Sequence, residues 1–325
     1  MIQRRSILKT KASMVAAGAA AVALGLTACG GSSSAAPEGA DATAETVQVG
    51  YFPLVHTSTA VHADEAGIFE ANGLDVELVS TQGGAAAIPG LVSGSVDFTY
   101  TNYTSALLAA EQGLPVRLVA GNDVGKADHG IFVAKDSGIE SIADLKGKSF
   151  AVNNLQNIGT VAINALLEEA GLQASDVKLV EMPYPDMQAA LERGDVDAIW
   201  QVEPFQAGAA AAGLVKIGDL FTGPVADMPV AGWITTEKFA QENPEAVAAF
   251  KEALAASAEE LQGDRDRLVE LVPTFTKVGA DVVQAIEMPQ FQGELDVEAL
   301  QKTADLMLKY QITDSELDVQ TLVAE

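Results

Sequence analysis

The sequence predicts an α/β protein built as two similar lobes around a ligand cleft. Three observations predict it. Short apolar runs of strand length alternate with helical segments from Thr46 to Ile217, the pattern of βα units and a mainly parallel sheet. One unit occurs twice: Ser93–Asn102 (SGSVDFTYTN) aligns with Arg193–Val202 (RGDVDAIWQV), and Gly94, Val96 and Asp97 match Gly194, Val196 and Asp197. Two extended segments, Gly130–Ala134 and Val230–Thr235, bracket a block of one domain's length and read as the two hinge crossings between lobes.

The elements follow in order. Residues 1–28 read as an export signal: a basic start (Arg4, Arg5, Lys9, Lys11), then an apolar run from Met14 to Leu26 that is too short for a membrane span. Gly30–Glu45 has no hydrophobic pattern and reads as a flexible tether. Thr46–Phe52, Leu74–Ser80, Val96–Tyr100 and Val116–Ala120 read as strands, each but the last followed by a helix. Ser149–Val152 opens a second series that continues through the helix Asn157–Ala170, the strand Val177–Glu181, a helix closed by Gly194, the strand Val196–Trp200 and a last strand at Leu214–Ile217. From Glu237 onward the pattern is helical. Lobe 1 is then discontinuous, residues 46–129 plus 236–325, and lobe 2 is residues 130–235 with the hinge segments.

Of the 325 residues, 48% are hydrophobic, enough for a large core. Beyond residue 28 the chain carries 15 basic against 45 acidic residues, a formal charge of −30. That excludes nucleic acid and polybasic membrane contact as partners. Cys29 is the only cysteine, so no internal disulfide forms and no mature thiol is free for catalysis. No Gly-x-Ser-x-Gly or Walker motif is present, and no enzyme activity or cofactor is expected. The three histidines, His56, His62 and His129, are scattered, with His62 read on a helix surface; no metal is expected.

The segments SIADLKGKSFAV (Ser141–Val152) and PYPDMQAALERGDVDAIWQVEPF (Pro183–Phe205) resemble the periplasmic solute-binding proteins of ABC importers, in the nitrate/sulfonate/taurine group that also includes pyrimidine-precursor binders. VGYFP (Val49–Pro53), EAGIFEANGLDVELV (Glu65–Val79) and GSVDFTYTN (Gly94–Asn102) fit the same family. Leu26-Thr27-Ala28-Cys29 resembles the lipobox of bacterial lipoproteins, in which the Cys becomes the lipidated first residue. The resemblance implies a two-lobed periplasmic-binding-protein fold (type II) and capture of a small solute in the cleft. It also implies delivery to an ABC permease with its cytoplasmic ATPase, by a monomer anchored through Cys29 to the outer face of the cytoplasmic membrane. Sulfonate, taurine or nitrate is the first ligand class, an aminopyrimidine the second. A sensor subunit that binds the same ligand is the other role.

In open α/β sheets ligands sit beyond the carboxyl ends of strands. That rule selects Phe52 and His56, the turn Gln82-Gly83-Gly84, the helix start at Asn102-Tyr103, Asn153, Asn154 and Gln156, the helix start at Asp186, and Gln201 with Glu203. Free N–H groups at helix starts favour an anion or a carbonyl-type acceptor. Glu203, facing the cleft, would repel a simple anion and suit an amine. Tyr103 is expected as an aromatic wall and Trp200 as core.

Overall fold

The computed structural model describes residues 46–324. The expected signal peptide, Cys29 and the tether lie outside the described residues. Eleven strands are described in chain order: β1 (Val47–Tyr51), β2 (Val76–Ser80), β3 (Phe98–Asn102), β4 (Val116–Val124), β5 (His129–Val133), β6 (Ser149–Val152), β7 (Lys178–Glu181), β8 (Ala198–Val202), β9 (Val215–Asp219), β10 (Pro229–Thr236) and β11 (Gln290–Phe291). They form a six-stranded sheet, β11-β4-β10-β3-β1-β2, and a five-stranded sheet, β7-β6-β8-β5-β9. The fold is the two-lobed α/β arrangement expected, with helices packed on each sheet.

Two details differ from expectation. Neither sheet is mainly parallel throughout: β10 runs antiparallel between β3 and β4, and β5 runs antiparallel between β8 and β9. The segments read as crossings are themselves these antiparallel strands. Residues 130–134 belong to the second sheet, and residues 230–235, counted with lobe 2, lie in the middle of the first. Both runs are apolar because they are buried on both faces, which is why they stood out in the sequence. The chain passes between sheets at residues 125–128 and again between Leu220 and Met228.

The repeated unit explains the twofold likeness. Gly94 and Gly194 end their helices at φ +76° and +75°, a left-handed conformation that glycine adopts at no steric cost. Val96 and Val196 then enter the core. Asp97 Oδ2 accepts the Gln48 N–H at 2.8 Å, and Asp197 Oδ2 accepts the Ser149 N–H at 2.8 Å. Each aspartate thus ties the strand it opens to that strand's parallel neighbour, β3 to β1 and β8 to β6, in the same register.

The first sheet packs on the helix Pro244–Leu261, whose buried residues Val247, Phe250, Leu254, Ser257, Ala258 and Leu261 recur at helical spacing. Phe250 stacks on Phe98 with centroids 4.1 Å apart, and Phe69 and Trp233 close around it. Among the described residues no helix is long and apolar enough to cross a membrane.

In the second sheet the helix Ile158–Glu169 packs its first turn on Trp200. A Cβ on Gly159 would lie 2.3 Å from Trp200 Cε3 and Cζ3. Gly159→Ala is therefore expected to destabilise the fold by about 1–3 kcal/mol through overpacking. Denaturant unfolding measures it; an unchanged midpoint would show that the indole moves aside freely.

Candidate functional site

The parallel strands of both sheets end toward one another, and the residues after them enclose a cavity of about 410 Å³. The first sheet supplies Phe52, Leu54 and His56 after β1, Gln82–Ala86 after β2, Tyr100, Asn102 and Ser105 around the end of β3, and Asp123 on β4. The second supplies His129 on β5, Asn153, Asn154 and Asn157 after β6, Tyr184 after β7, and Trp200 and Phe205 around the end of β8. Among the described residues that line it there is no lysine or arginine.

Of the residues selected from sequence, Phe52, His56, Gln82, Gly83, Gly84, Asn102, Asn153 and Asn154 line the cavity. Gly83 and Gly84 turn the chain at φ +66° and +54°, and a Cβ on Gly83 would strike the Phe52 ring at 2.8 Å. Asn102 also caps the helix Tyr103–Glu111, accepting the Ser105 N–H at 2.8 Å. Across the cleft Asn157 caps the facing helix, and Thr104 Oγ1 lies 3.2 Å from Asn157 Oδ1, so the two helix starts meet.

The remaining candidates stand elsewhere. Tyr103 is buried behind the sheet, its hydroxyl donating to Ala120 O at 3.4 Å. Gln156 is exposed in a turn held by Asn154. Asp186 is exposed in the first turn of its helix. Gln201 is buried and donates to Tyr184 O at 3.4 Å. Glu203 does not line the cavity: it accepts from Gln206 Nε2, Ala207 N and Glu287 N, binding the second lobe to a C-terminal segment. His62, read as surface, is 7% exposed, with Nε2 2.9 Å from Glu260 and Nδ1 facing Arg267.

Sequence reasoning missed Asp123, because it read the strand as ending at Ala120. β4 in fact runs on to Val124. The available signal was the Asn122-Asp123 pair at a strand's end. Tyr184 and Phe205 were also missed as walls, and Trp200, expected only as core, is both core and wall. Tyr184 stacks on Phe205 with centroids 5.9 Å apart and meets Trp200 edge-on at 5.2 Å.

The polar pole of the cavity is His56, Asp123 and His129, with exposures of 1%, 1% and 2%. Asp123 Oδ1 accepts from Asn122 at 2.7 Å and from the Tyr100 hydroxyl at 3.3 Å, while Oδ2 has no partner. Burial pushes the Asp123 carboxyl up to about 6 against the pull of His56, Asn122 and Tyr100, so it is charged at neutral pH. Burial pushes His129 down to about 4, leaving a neutral imidazole. His56 Nε2 lies 2.8 Å from Asp128 Oδ2; burial opposes its charge, but that bond and the nearby carboxylates raise it above the usual histidine range. The pole can accept a hydrogen bond through Asp123. The unpartnered Trp200 Nε1 can donate one.

The chain as a whole is similar to known proteins. The chain is 26% identical over 262 residues to a putative aliphatic sulfonates-binding protein of Bacillus subtilis, with 78% of each chain covered. It is 26% identical over 219 residues to the taurine-binding periplasmic protein of Escherichia coli, 64% of each chain. The alkanesulfonate-binding protein SsuA of Xanthomonas axonopodis pv. citri, solved bound to MOPS, superposes with a TM-score of 0.74 at 19% identity, covering 86% of this chain and 97% of that one. The NMT1/THI5-like family description matches residues 55–267, well over half of the 325, and the chain belongs to that family.

Proposed function

We propose that the protein is the exported solute-binding component of an ABC importer, and that its lobes close on a flat, nitrogen-bearing heterocycle of aminopyrimidine type for delivery to a permease. Binding is the whole activity; no bond is made or broken. One observation carries the ligand class. The cavity combines aromatic walls (Tyr100, Tyr184, Trp200, Phe205) with one charged, half-partnered carboxylate, and no lysine or arginine lines it among the described residues. Aromatic faces hold a flat ring. Asp123 Oδ2 takes an amine or ring N–H, whereas a free anion would meet its charge. Glu203, buried against other partners, gives up the amine-binding role expected of it.

A second reading rests on the two helix starts at Asn102–Ser105 and Asn157–Ile158, which face the cavity. They suit a sulfonate whose amine reaches Asp123, and relatives named for sulfonate and taurine binding support it.

Calorimetry with aminopyrimidines, taurine and alkanesulfonates separates the readings. Asp123→Asn should weaken an aminopyrimidine by about 10–100-fold, the loss of a charged hydrogen bond. Because the Asp123 carboxyl sits near 6, affinity should also fall as pH drops from 7 to 5 and Asp123 takes up its proton. Affinity unchanged by both the substitution and the pH would remove Asp123 from the site; tighter binding of sulfonates than heterocycles would favour the second reading.

The lipid anchor is part of the proposal. Cys29→Ser should move the protein from the membrane fraction to the soluble exported fraction, and membrane retention of that variant would exclude lipidation as the anchor.

A further inference from the structure

The same pole has the makings of a metal site, contrary to the expectation from scattered histidines. His56, Asp123 and His129 come from three separate segments: the turn after β1, the end of β4 and the start of β5. Each offers one ligand atom, and the three atoms lie within 4.8 Å of one another. All three residues are at least 98% buried and carry atoms without hydrogen-bond partners: His56 Nδ1, Asp123 Oδ2 and both ring nitrogens of His129. Buried polar atoms without a hydrogen bond are costly; His129 Nε2 lies 3.5 Å from Asp128 Oδ2.

The surroundings are those a metal site needs. With His56 Nε2 donating to Asp128 Oδ2 at 2.8 Å, its Nδ1 keeps the lone pair. Asn122 and Tyr100 hold the other Asp123 oxygen. A carboxylate behind a histidine, and donors behind a carboxylate, orient ligands toward a cation. All three residues line the cavity, which gives a cation a route to them.

We propose that His56, Asp123 and His129 bind a late first-row divalent cation such as Zn²⁺, with its open position facing the cavity. Two imidazoles and one carboxylate suit Zn²⁺, Co²⁺ or Ni²⁺ rather than the all-oxygen preference of Ca²⁺ or Mg²⁺. The proposal rests on the reading that the cavity takes the solute, and it deepens that reading. In the cation-loaded state a ring nitrogen of the solute becomes the fourth ligand, and the contact of its N–H with Asp123 Oδ2 belongs to the cation-free state. The ligands also span the crossing at residues 125–128, so the cation would tie the lobes at their hinge.

The test uses the untagged full chain, stripped with a chelator and titrated with Zn²⁺ by calorimetry and with Co²⁺ by visible absorption. One equivalent should bind, the Co²⁺ spectrum should be that of a low-coordinate site, and Zn²⁺ should displace it. Asp128→Asn, which changes the group facing both His56 and His129 but supplies no ligand, should weaken Zn²⁺ by about 10–100-fold. His62→Gln, outside the site, should leave Zn²⁺ binding unchanged. The absence of stoichiometric uptake by the folded, stripped protein overturns the proposal. So does uptake that persists in a His56→Gln/His129→Gln variant whose circular dichroism matches the parent. Calorimetry of the stripped protein with an aminopyrimidine keeps the two claims apart. Solute binding without Zn²⁺ uptake overturns the metal site and leaves the solute reading standing; Zn²⁺ uptake with no aminopyrimidine binding to either the stripped or the Zn²⁺-loaded protein supports the metal site and removes that solute class.

Discussion

A carboxylate buried beneath a cavity constrains everything around it. Asp123 is 1% exposed, and a buried charge is costly unless it is hydrogen-bonded. Its nearest support is Asn122, whose side-chain amide is fully used. Oδ1 accepts from Thr59 Oγ1 at 2.6 Å and from Trp233 Nε1 at 3.1 Å, and Nδ2 donates to His56 O at 3.0 Å and to Asp123 at 2.7 Å. One amide therefore joins the turn carrying His56, the helix Ser58–Glu65, the antiparallel strand β10 and the end of β4. The position of the pole follows from that network, because neither His56 nor Asp123 can shift without stranding a buried donor or acceptor.

The two lobes repeat one solution to a common problem. In both sheets an aspartate after a left-handed glycine bonds to the backbone of the parallel neighbour, joining β3 to β1 and β8 to β6. The residues after the parallel strands of both sheets line the same cavity. Its chemistry is not duplicated: the first sheet contributes His56 and the carboxylate, while the second contributes His129 and most of the aromatic wall. That asymmetry suits a solute with one polar end and one flat face.

Much of this was legible in the sequence. The Gly-x-Val-Asp repeat lies once in each sheet, and the carboxyl-end rule selected Phe52, His56, Gln82–Gly84, Asn102, Asn153 and Asn154, all of which line the cavity. The rule failed where a side chain's direction, not its place, decided the outcome. Gln201 and Glu203 follow β8 as required, yet their side chains are taken up by Tyr184 O and by Gln206, Ala207 and Glu287. Asp123 was hidden because β4 continues through a polar pair that reads as a loop. The two-residue strand β11 has no periodicity to read; it is held by Gln290 and Phe291 pairing with β4. The clustering of His56 with His129, ring centroids 5.5 Å apart, depends on two segments meeting at the hinge, which no local pattern encodes.

The central claim is that this cavity takes up a small solute whose donor group faces Asp123. Its most direct test is native mass spectrometry of the protein purified without denaturation from cells grown in rich medium, followed by identification of whatever is released on unfolding. The account predicts one small molecule per chain, a nitrogen heterocycle with an exchangeable N–H. Release of a molecule with no N–H donor, held at one per chain, would contradict it.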